Sequence, residues 1–113
     1  MTDSCLFCRI VRGEIPAKVI HEDEHTLAFR DIDPKAPTHV LVIPKAHLPS
    51  LNEATDAAQL GRLMLVAAQL AKAEGISEDG YRTVVNSGAN AGQTVFHVHL
   101  HLLGGRRLGW PPG

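Results

Sequence analysis

The sequence lacks the features that mark membrane, secreted and nucleic-acid-binding proteins. It contains no apolar run long enough to cross a bilayer. Residues 1–4 have neither the basic nor the apolar part of a signal peptide. The formal net charge of −1 leaves no basic surface for nucleic acid. We therefore expect a cytoplasmic protein that binds neither membranes nor nucleic acid.

Cysteine is scarce, since Cys5 and Cys8 are the only two in 113 residues. A reducing cytoplasm argues against a structural disulfide between them. Internal repeats, low-complexity tracts and linkers are also absent, because the glycines and prolines are scattered as turn residues. These absences predict one domain spanning residues 1–113, with a single core of modest size.

Apolar periodicity and turn residues predict one short helix, one long helix and about five strands. Ser4 is the predicted cap of a short helix over residues 5–11, and Thr55 caps a long helix that ends before Gly75. The predicted strands cover residues 18–21, 26–30, 38–43, 81–86 and 95–103. Most connections are too short for parallel crossovers, so we predict an α+β fold with an antiparallel sheet.

The predicted long helix carries two apolar stripes at helical spacing. The first stripe consists of Leu60, Leu63, Met64, Ala67, Leu70 and Ala71. The second stripe, of mostly small residues, consists of Ala58, Gly61, Leu65 and Ala68. Two interpretations are open: the second stripe either widens the core face of one subunit or contacts a partner subunit.

Three of the seven histidines fall within five residues. In this histidine segment, residues 96–102, His97, His99 and His101 alternate with Phe96, Val98, Leu100 and Leu102. On a strand, a period of two places the imidazoles on one face and the apolar side chains on the other. We expect the apolar face to contact the core and the histidine face to border a cleft or solvent.

Three interpretations of the histidine face compete. A solvated face would more often carry Thr, Lys or Glu. A His-x-His pair can bind a metal ion, but all three histidines span roughly 13 Å along a strand, too far to share one ion. Catalysis fits best, because imidazole is nucleophilic and titrates near neutral pH. His99, with a histidine on either side, is the predicted nucleophile.

A loop over residues 86–94 runs directly into the histidine segment. Gly88 and Gly92 in this loop allow the backbone to turn its N–H groups toward a phosphate. Glycines alone are a weak signal, since many surface loops contain them. Their position just before the histidines makes this loop a candidate anion site.

Together these motifs resemble the histidine-triad family, whose pattern of histidine and apolar residue, three times repeated, is present at residues 97–102. The resemblance covers nearly the whole chain, from Cys5 to Gly113. Further matching motifs lie at residues 14–18, 29–32, 36–39, 41–45 and 84–86. The ending at residues 109–113, Gly-Trp-Pro-Pro-Gly, is similar to that of the nucleotide-binding branch, and the dinucleoside polyphosphate hydrolases of the family lack it.

The resemblance implies a homodimer that hydrolyses purine nucleoside phosphoramidates, in which AMP is joined to an amine. His99 would be the nucleophile and would form a nucleotidyl-histidine intermediate. His101 would contact the phosphate, His39 would support the nucleophile, and His97 would complete the triad. A protonated imidazole could supply the proton for the leaving amine, so the chemical step would require no cofactor.

The resemblance also implies a set of nucleotide-binding residues. Asp31 would bind the ribose hydroxyls. The phosphate would be contacted by Asn86, Gly92, Gln93 and Thr94, where Thr94 keeps the hydroxyl of the family's usual serine. Six apolar residues would form the base pocket, unless several simply belong to the core: Leu6, Phe7, Ile10, Phe29, Ile32 and Leu41. Trp110 would reach toward the partner's active site and influence leaving-group preference.

The triad does not explain Cys5-x-x-Cys8. Some bacterial-type members of the family carry these cysteines together with zinc, and there the other two ligands match His47 and His97. The resemblance therefore implies a structural zinc ion held by two cysteines and two histidines, an ordinary tetrahedral set. Two free buried thiols near the start of a helix are the alternative.

Two other functions are open at this point. One is hydrolysis of dinucleoside polyphosphates on the same fold. The other is non-catalytic binding of a nucleotide or metal by an adaptor protein. The adaptor is disfavoured because the whole triad, His39 and Asp31 occur together.

Overall fold

A five-stranded antiparallel sheet forms the centre of the computed structural model, which describes residues 2–113. The strands are β1 (Val19–Glu22), β2 (Thr26–Arg30), β3 (Thr38–Pro44), β4 (Tyr81–Val85) and β5 (Leu100–Gly104). Their order across the sheet is β1-β2-β3-β5-β4. With one short and one long helix, this architecture confirms the predicted α+β fold.

Two α-helices accompany the sheet: α1 (Leu6–Val11) and α2 (Ala57–Ala73). Single turns of 3-10 helix lie at Thr2–Ser4, Leu51–Glu53 and Ala89–Ala91. No helix within residues 2–113 is long and apolar enough to cross a membrane.

Both predicted helix caps are wrong by one residue. Cys5, rather than Ser4, caps α1, because its Sγ accepts a hydrogen bond from the backbone N–H of Cys8. Asp56, rather than Thr55, caps α2, because its carboxylate accepts from the N–H of Ala58. In each case the residue directly before the first helical residue reaches the free N–H groups of the first turn.

The two helices are associated with separate apolar clusters on opposite faces of the sheet. Strand β3 is buried along its whole length, and its side chains alternate between the clusters. The cluster toward α2 contains Ala28, Val40, Val42, Leu100 and Leu102, among others. The cluster toward α1 contains Phe7, Leu27, Phe29, Leu41 and Ile43. The histidines of β3 and β5 therefore share the face that α1 covers.

Strand β5 begins at Leu100, five residues later than predicted. In the register of the sheet, Val42 lies opposite Leu100, so Pro44 would lie opposite Val98. Pro44 has no N–H to donate, and the N–H of Val98 instead bonds the carbonyl of Leu48 at 2.6 Å. Phe96 lies beyond this point and is 56% exposed, so its predicted place in the core is wrong.

The second stripe of α2 faces outward in the single chain. Leu65 is 65% exposed, and Ala58 and Ala68 are exposed as well. Met64, which the pattern placed in the first stripe, is also exposed at 53%, whereas Val66 is buried. The interpretation that the second stripe widens this chain's own core is therefore wrong.

Candidate active site

The histidine segment lies under helix α1 rather than at the open surface. His97 is fully buried and His99 is 7% exposed. The ring of Phe7 contacts both imidazoles edge-on, with centroids 6.0 Å from His97 and 5.0 Å from His99. The alternation holds on the other side, where Val98, like Leu100, is buried in the cluster toward α2.

A backbone carbonyl fixes the orientation of His99. Its Nδ1 lies 2.8 Å from the carbonyl oxygen of His97, which can only accept, so this nitrogen carries the proton. In the neutral ring, the lone pair is then on Nε2. The arrangement leaves one nitrogen of His99 available as a nucleophile.

A second pair of histidines lies beside His99. His39 Nε2 is 2.9 Å from His101 Nδ1, and the rings of His99 and His101 are 5.0 Å apart. The backbone N–H of Lys35 donates to His39 Nδ1 at 3.0 Å, so neutral His39 carries its proton on Nε2. It therefore donates to His101 Nδ1 and leaves the His101 proton on Nε2.

Burial keeps both members of this pair neutral in the unliganded protein. Burial lowers the pKa of His39, and the negative charge of Asp31 partly offsets this effect. Burial, followed by the neighbouring His99 and His39, lowers the pKa of His101 to about 4. The protonated imidazole expected for leaving-group chemistry is therefore not His101 in the free protein at neutral pH.

Asp31 borders the histidine pair. Its Oδ2 lies 3.4 Å from His39 Nε2, and its Oδ1 accepts the N–H of Asp33 at 2.8 Å. Asp31 and His39 line two cavities, one of about 610 Å³ that includes Ile32 and one of about 310 Å³ that includes Asn86 and His101. The carboxylate is thus placed where a ligand in either cavity would meet it.

The four residues predicted to bind zinc come together at the start of α1. The distances between their donor atoms are 3.2 Å for Cys8 Sγ to His47 Nδ1 and 3.3 Å for His47 Nδ1 to His97 Nδ1. The two cysteine Sγ atoms lie 3.4 and 3.5 Å from His97 Nδ1. All four donor atoms lie within 4.8 Å of one another, close enough to hold a metal ion.

Two features of this cysteine–histidine cluster bear on metal binding. His97 Nε2 donates to the Pro44 carbonyl at 2.8 Å, which leaves its Nδ1 lone pair facing the cysteines. Burial lowers the pKa of His97, which favours the neutral ring that a metal requires. Burial, followed by Cys5, raises the pKa of Cys8 to about 11, so without a metal ion this thiol keeps its proton.

In the loop over residues 86–94, groups that were predicted to donate to a phosphate make hydrogen bonds within the protein. Gln93 is buried, its Oε1 accepts from the N–H of Gly88, and its Nε2 donates to the carbonyls of Pro49 and Val95. The N–H of Gly92 bonds the Ala89 carbonyl. In this ligand-free structure both residues shape the loop, and their direct contacts with phosphate stay predictions.

The remaining predicted phosphate contacts lie apart from each other. Asn86 lines the 310 Å³ cavity together with His101. Thr94 lines a different cavity, of about 450 Å³, together with Cys5 and His47 of the cysteine–histidine cluster.

The six residues predicted for the base pocket divide into two groups. Phe7, Phe29 and Leu41 are buried in the cluster under α1, where Phe7 packs edge-on against Phe29 at 5.5 Å. Ile10 is half-buried beside them. Ile32 is fully exposed at the rim of the 610 Å³ cavity, and Leu6 is exposed beside the 450 Å³ cavity. Only Ile32 and Leu6 present a large apolar surface to a ligand.

Trp110 lies beside strand β4 rather than among the site's histidines. Its ring is 80% exposed and stacks under the guanidinium of Arg82 at 5.7 Å, while Arg82 also donates to the Gly109 carbonyl at 2.8 Å. Within the single chain, the tail therefore contacts the edge strand β4, and the reach of Trp110 toward a partner's active site stays a prediction.

Sequence reasoning missed three backbone groups that orient the histidines. The Lys35 amide and the carbonyls of Pro44 and His97 each bind one imidazole nitrogen. None acts through a side chain, so residue type carried no signal for them. A proline pair around residue 35 and a proline at the end of a strand were visible only as loop and stop signals.

Comparison with known proteins places this site in a family. The sequence model of the HIT domain family matches residues 12–108 of this chain. The chain is 48% identical over 111 residues to the purine nucleoside phosphoramidase of Escherichia coli strain K12, an alignment that covers 96% of this chain and 93% of the relative. It is 53% identical over 115 residues to an uncharacterized HIT-like protein of Synechococcus elongatus, with both chains fully covered.

A solved structure agrees with the sequence comparisons. The crystal structure of a HIT family hydrolase from Legionella pneumophila superposes with a TM-score of 0.95 at 54% identity, covering 97% of this chain and 100% of that one. The family match, the relatives and the three buried or half-buried histidines agree with one another. The chain therefore belongs to the HIT domain family, the histidine-triad family that its sequence motifs resemble.

Proposed function

We propose that this protein hydrolyses purine nucleoside phosphoramidates through a nucleotidyl intermediate on His99. The observation that carries the proposal is the tautomer of His99, whose Nδ1–H is held by the His97 carbonyl so that Nε2 keeps its lone pair. The 48% identity to a purine nucleoside phosphoramidase supports this substrate class.

The chemistry divides into two displacements at phosphorus. His99 Nε2 attacks, the P–N bond breaks, and the amine leaves with a proton. The free protein holds His39 and His101 neutral, but a bound phosphate anion favours the protonated form of His101, which can then supply that proton from Nε2. Water next attacks the phosphorus and gives its proton to the now neutral His101, the P–Nε2 bond breaks, and the nucleotide leaves.

The nucleotide is positioned by the residues around the two cavities that share Asp31. The Asp31 carboxylate binds the ribose hydroxyls, and Ile32 packs against the purine from the rim of the larger cavity. Asn86 meets the phosphate beside His101 in the smaller cavity. Phe7 supports the site from below, through its contact with the His99 ring.

The test is capture of the intermediate. Wild-type protein is mixed with an AMP-amine conjugate and quenched in base, which spares phosphohistidine, and the adduct is located by peptide mass spectrometry. We expect it on His99, and we expect His99→Ala to lose turnover and adduct while it still binds AMP. His21→Ala, a substitution at a histidine of strand β1, is the control. An adduct on His97 or His101 contradicts the assignment.

A second assay of the wild-type protein distinguishes phosphoramidate hydrolysis from hydrolysis of dinucleoside polyphosphates. Diadenosine polyphosphates are assayed beside the AMP-amine conjugate under identical conditions. A higher kcat/KM for the polyphosphate would assign the protein to that substrate class instead. Turnover of neither substrate, with AMP still bound, would favour the non-catalytic adaptor.

We also propose that Cys5, Cys8, His47 and His97 hold a structural zinc ion. A tetrahedral ion with the usual bond lengths has ligand edges of about 3.3 Å between two nitrogens and about 3.6 Å between sulfur and nitrogen. The N–N distance of 3.3 Å and the S–N distances of 3.2, 3.4 and 3.5 Å lie close to these edges. When bound, zinc would tie α1 to the histidine segment and replace the thiol protons.

Zinc binding is tested by elemental analysis and stability. We expect about one zinc per chain in protein purified without chelators. Cys8→Ser should lose the metal and lower the unfolding free energy more than it lowers kcat, because His99 is not a ligand. Equal stability of metal-loaded and metal-free wild-type protein would contradict a structural role.

A further inference from the structure

The loop between β2 and β3 is held down by a turn that the proposed reaction does not use. This turn, Gly104-Gly105-Arg106, begins at the last residue of β5. Gly105 has a φ of +90°, and a Cβ built there would lie 2.9 Å from Pro37 Cβ. Only glycine permits both this backbone conformation and so close an approach.

The close approach places Arg106 against the loop. Its Nη2 donates to the Lys35 carbonyl at 2.9 Å and its Nε at 3.3 Å, while Nη1 donates to the Arg107 carbonyl at 2.9 Å. The guanidinium therefore binds the carbonyl of Lys35, the residue whose N–H donates to His39. Arg106 joins the end of the sheet to the loop that carries the histidine's partner.

We propose that Arg106 is a positioning residue that fixes the tautomer of the His39–His101 pair. By holding the Lys35 carbonyl, it keeps the Lys35 N–H on His39 Nδ1, so that His39 presents Nε2–H to His101 Nδ1. Neutral His101 then carries its proton on Nε2. Without the guanidinium, the loop moves away from His39, and the opposite tautomer of His39, with its proton on Nδ1, becomes populated. In that state His39 Nε2 accepts a hydrogen bond from His101, whose proton is then on Nδ1.

This inference rests on the proposed function only for its effect on catalysis, since the tautomers exist without substrate. A metal ion is a weaker explanation for the same cluster of Asp31, His39 and His101, although their donor atoms lie within 4.8 Å. Binding through His39 Nε2 would force the proton onto Nδ1, where it would face the N–H of Lys35. The hydrogen-bond order therefore favours a proton-holding pair over a ligand set.

The experiment reads the tautomers directly by two-bond ¹H–¹⁵N NMR of the histidine rings at neutral pH. The variants are Arg106→Ala, Arg106→Lys and, as the matched control, Arg107→Ala, whose side chain makes no hydrogen bond or ion pair in the described structure. The His39 signals are assigned by their loss in His39→Gln. Thermal unfolding of each variant is recorded to show that it is folded.

We expect wild type and Arg107→Ala to show unprotonated Nδ1 and protonated Nε2 at His39, and Arg106→Ala to show a mixture of tautomers. The kcat of Arg106→Ala should fall about fivefold, as for the loss of one net hydrogen bond, with KM little changed. Arg106→Lys, which can still donate to the carbonyl, should restore most of both readouts.

Two results would overturn the proposal: an unchanged His39 tautomer in Arg106→Ala, or equal loss of activity in the Arg107→Ala control. If no variant, wild type included, hydrolyses a phosphoramidate, the proposed function fails. The tautomer spectra still decide the role of Arg106 in that case.

Discussion

Single backbone groups decide the chemistry of each imidazole in this site. The His97 carbonyl accepts a hydrogen bond from Nδ1–H of His99. The Pro44 carbonyl accepts one from Nε2–H of His97. One histidine thereby exposes Nε2 and its neighbour exposes Nδ1. Two residues of the same type, two positions apart, thereby present different nitrogens, as the proposed nucleophile His99 and the proposed zinc ligand His97 would each require.

Gln93 offers a test of structural against ligand-binding roles at the residue scale. We predict that Gln93→Ala lowers the unfolding free energy by about 1 to 2 kcal/mol, because the loss removes the partner of the Gly88 N–H and of two carbonyls, all on half-buried residues. Urea denaturation measures this, with Asn90→Ala on the exposed part of the same loop as control. A normal stability together with a raised KM would instead make Gln93 a phosphate contact.

Thr94 should behave in the opposite way, because its side chain is exposed beside a cavity. We predict that Thr94→Val changes the unfolding free energy by less than about 0.5 kcal/mol but raises KM for the AMP-amine conjugate. Thr94→Ser, which keeps the hydroxyl, should leave KM near the wild-type value. Equal KM values in all three proteins would remove Thr94 from the site.

Asp23 gives a pH-dependent prediction in the turn between β1 and β2. Its carboxylate accepts the N–H groups of His25 and Thr26 and lies 2.7 Å from His21 Nε2. His21 first, and then the amide of His25, lower the pKa of Asp23 to about 2. Because the folded pKa is depressed, its contribution is complete above the unfolded pKa of about 3.9 and is lost as the pH falls toward 2.

The measurement compares urea midpoints at pH 5 and pH 3 for wild type and Asp23→Asn. The amide still accepts hydrogen bonds but has no charge to lose, so the variant's midpoint should fall less on acidification. Glu24→Gln, an exposed change in the same turn, is the control. An equal fall in wild type and Asp23→Asn would contradict the assignment.

At the scale of elements, the C-terminal tail is attached to β4 by one residue. Arg82 both stacks on Trp110 and binds the Gly109 carbonyl. We predict that deleting residues 109–113 changes the ratio of kcat/KM for small-amine and bulky-amine AMP conjugates, and that Arg82→Ala changes it in the same direction by a smaller factor. A uniform decrease for both substrates would show that the tail has no selective role.

The strands and helices that the sequence predicted correctly are those with local signals. Strand β2 matches its predicted bounds, and α2 follows its apolar period. The start of β5 could not be predicted, because it depends on which residue of β3 lies opposite Val98. That residue is Pro44, and a register between distant strands leaves no local pattern.

The candidate site divides in the same way. The triad, Asp31, His39 and the cysteine–histidine cluster were visible from residue type and family motifs, and the structure brings each group together. The buried role of Gln93 was not visible, since its partners are carbonyls and an amide of the loop and of Pro49. Residue type predicts side-chain chemistry, whereas backbone partners are decided by the tertiary fold.

On the scale of the whole molecule, the two faces of the sheet carry different kinds of side chains. The face toward α2 contains the larger apolar cluster. The face toward α1 combines a smaller cluster with the buried histidines and the cysteines. The outward side of α2 is left with exposed apolar residues, which a solvated helix would not favour.

We predict that this outward side forms the interface of a homodimer. Leu65 and Met64 are 65% and 53% exposed, and the small residues Ala58, Gly61 and Ala68 beside them allow a second helix to approach closely. Leu65→Glu would bury a charge without a partner in such an interface, so we expect it to convert the protein from dimer to monomer. Light scattering at several concentrations measures the mass of wild type, Leu65→Glu and the control Ser77→Glu, which adds the same charge at an exposed position off the helix. A monomeric wild type, or a Leu65→Glu variant that stays dimeric, would place the interface elsewhere or remove it.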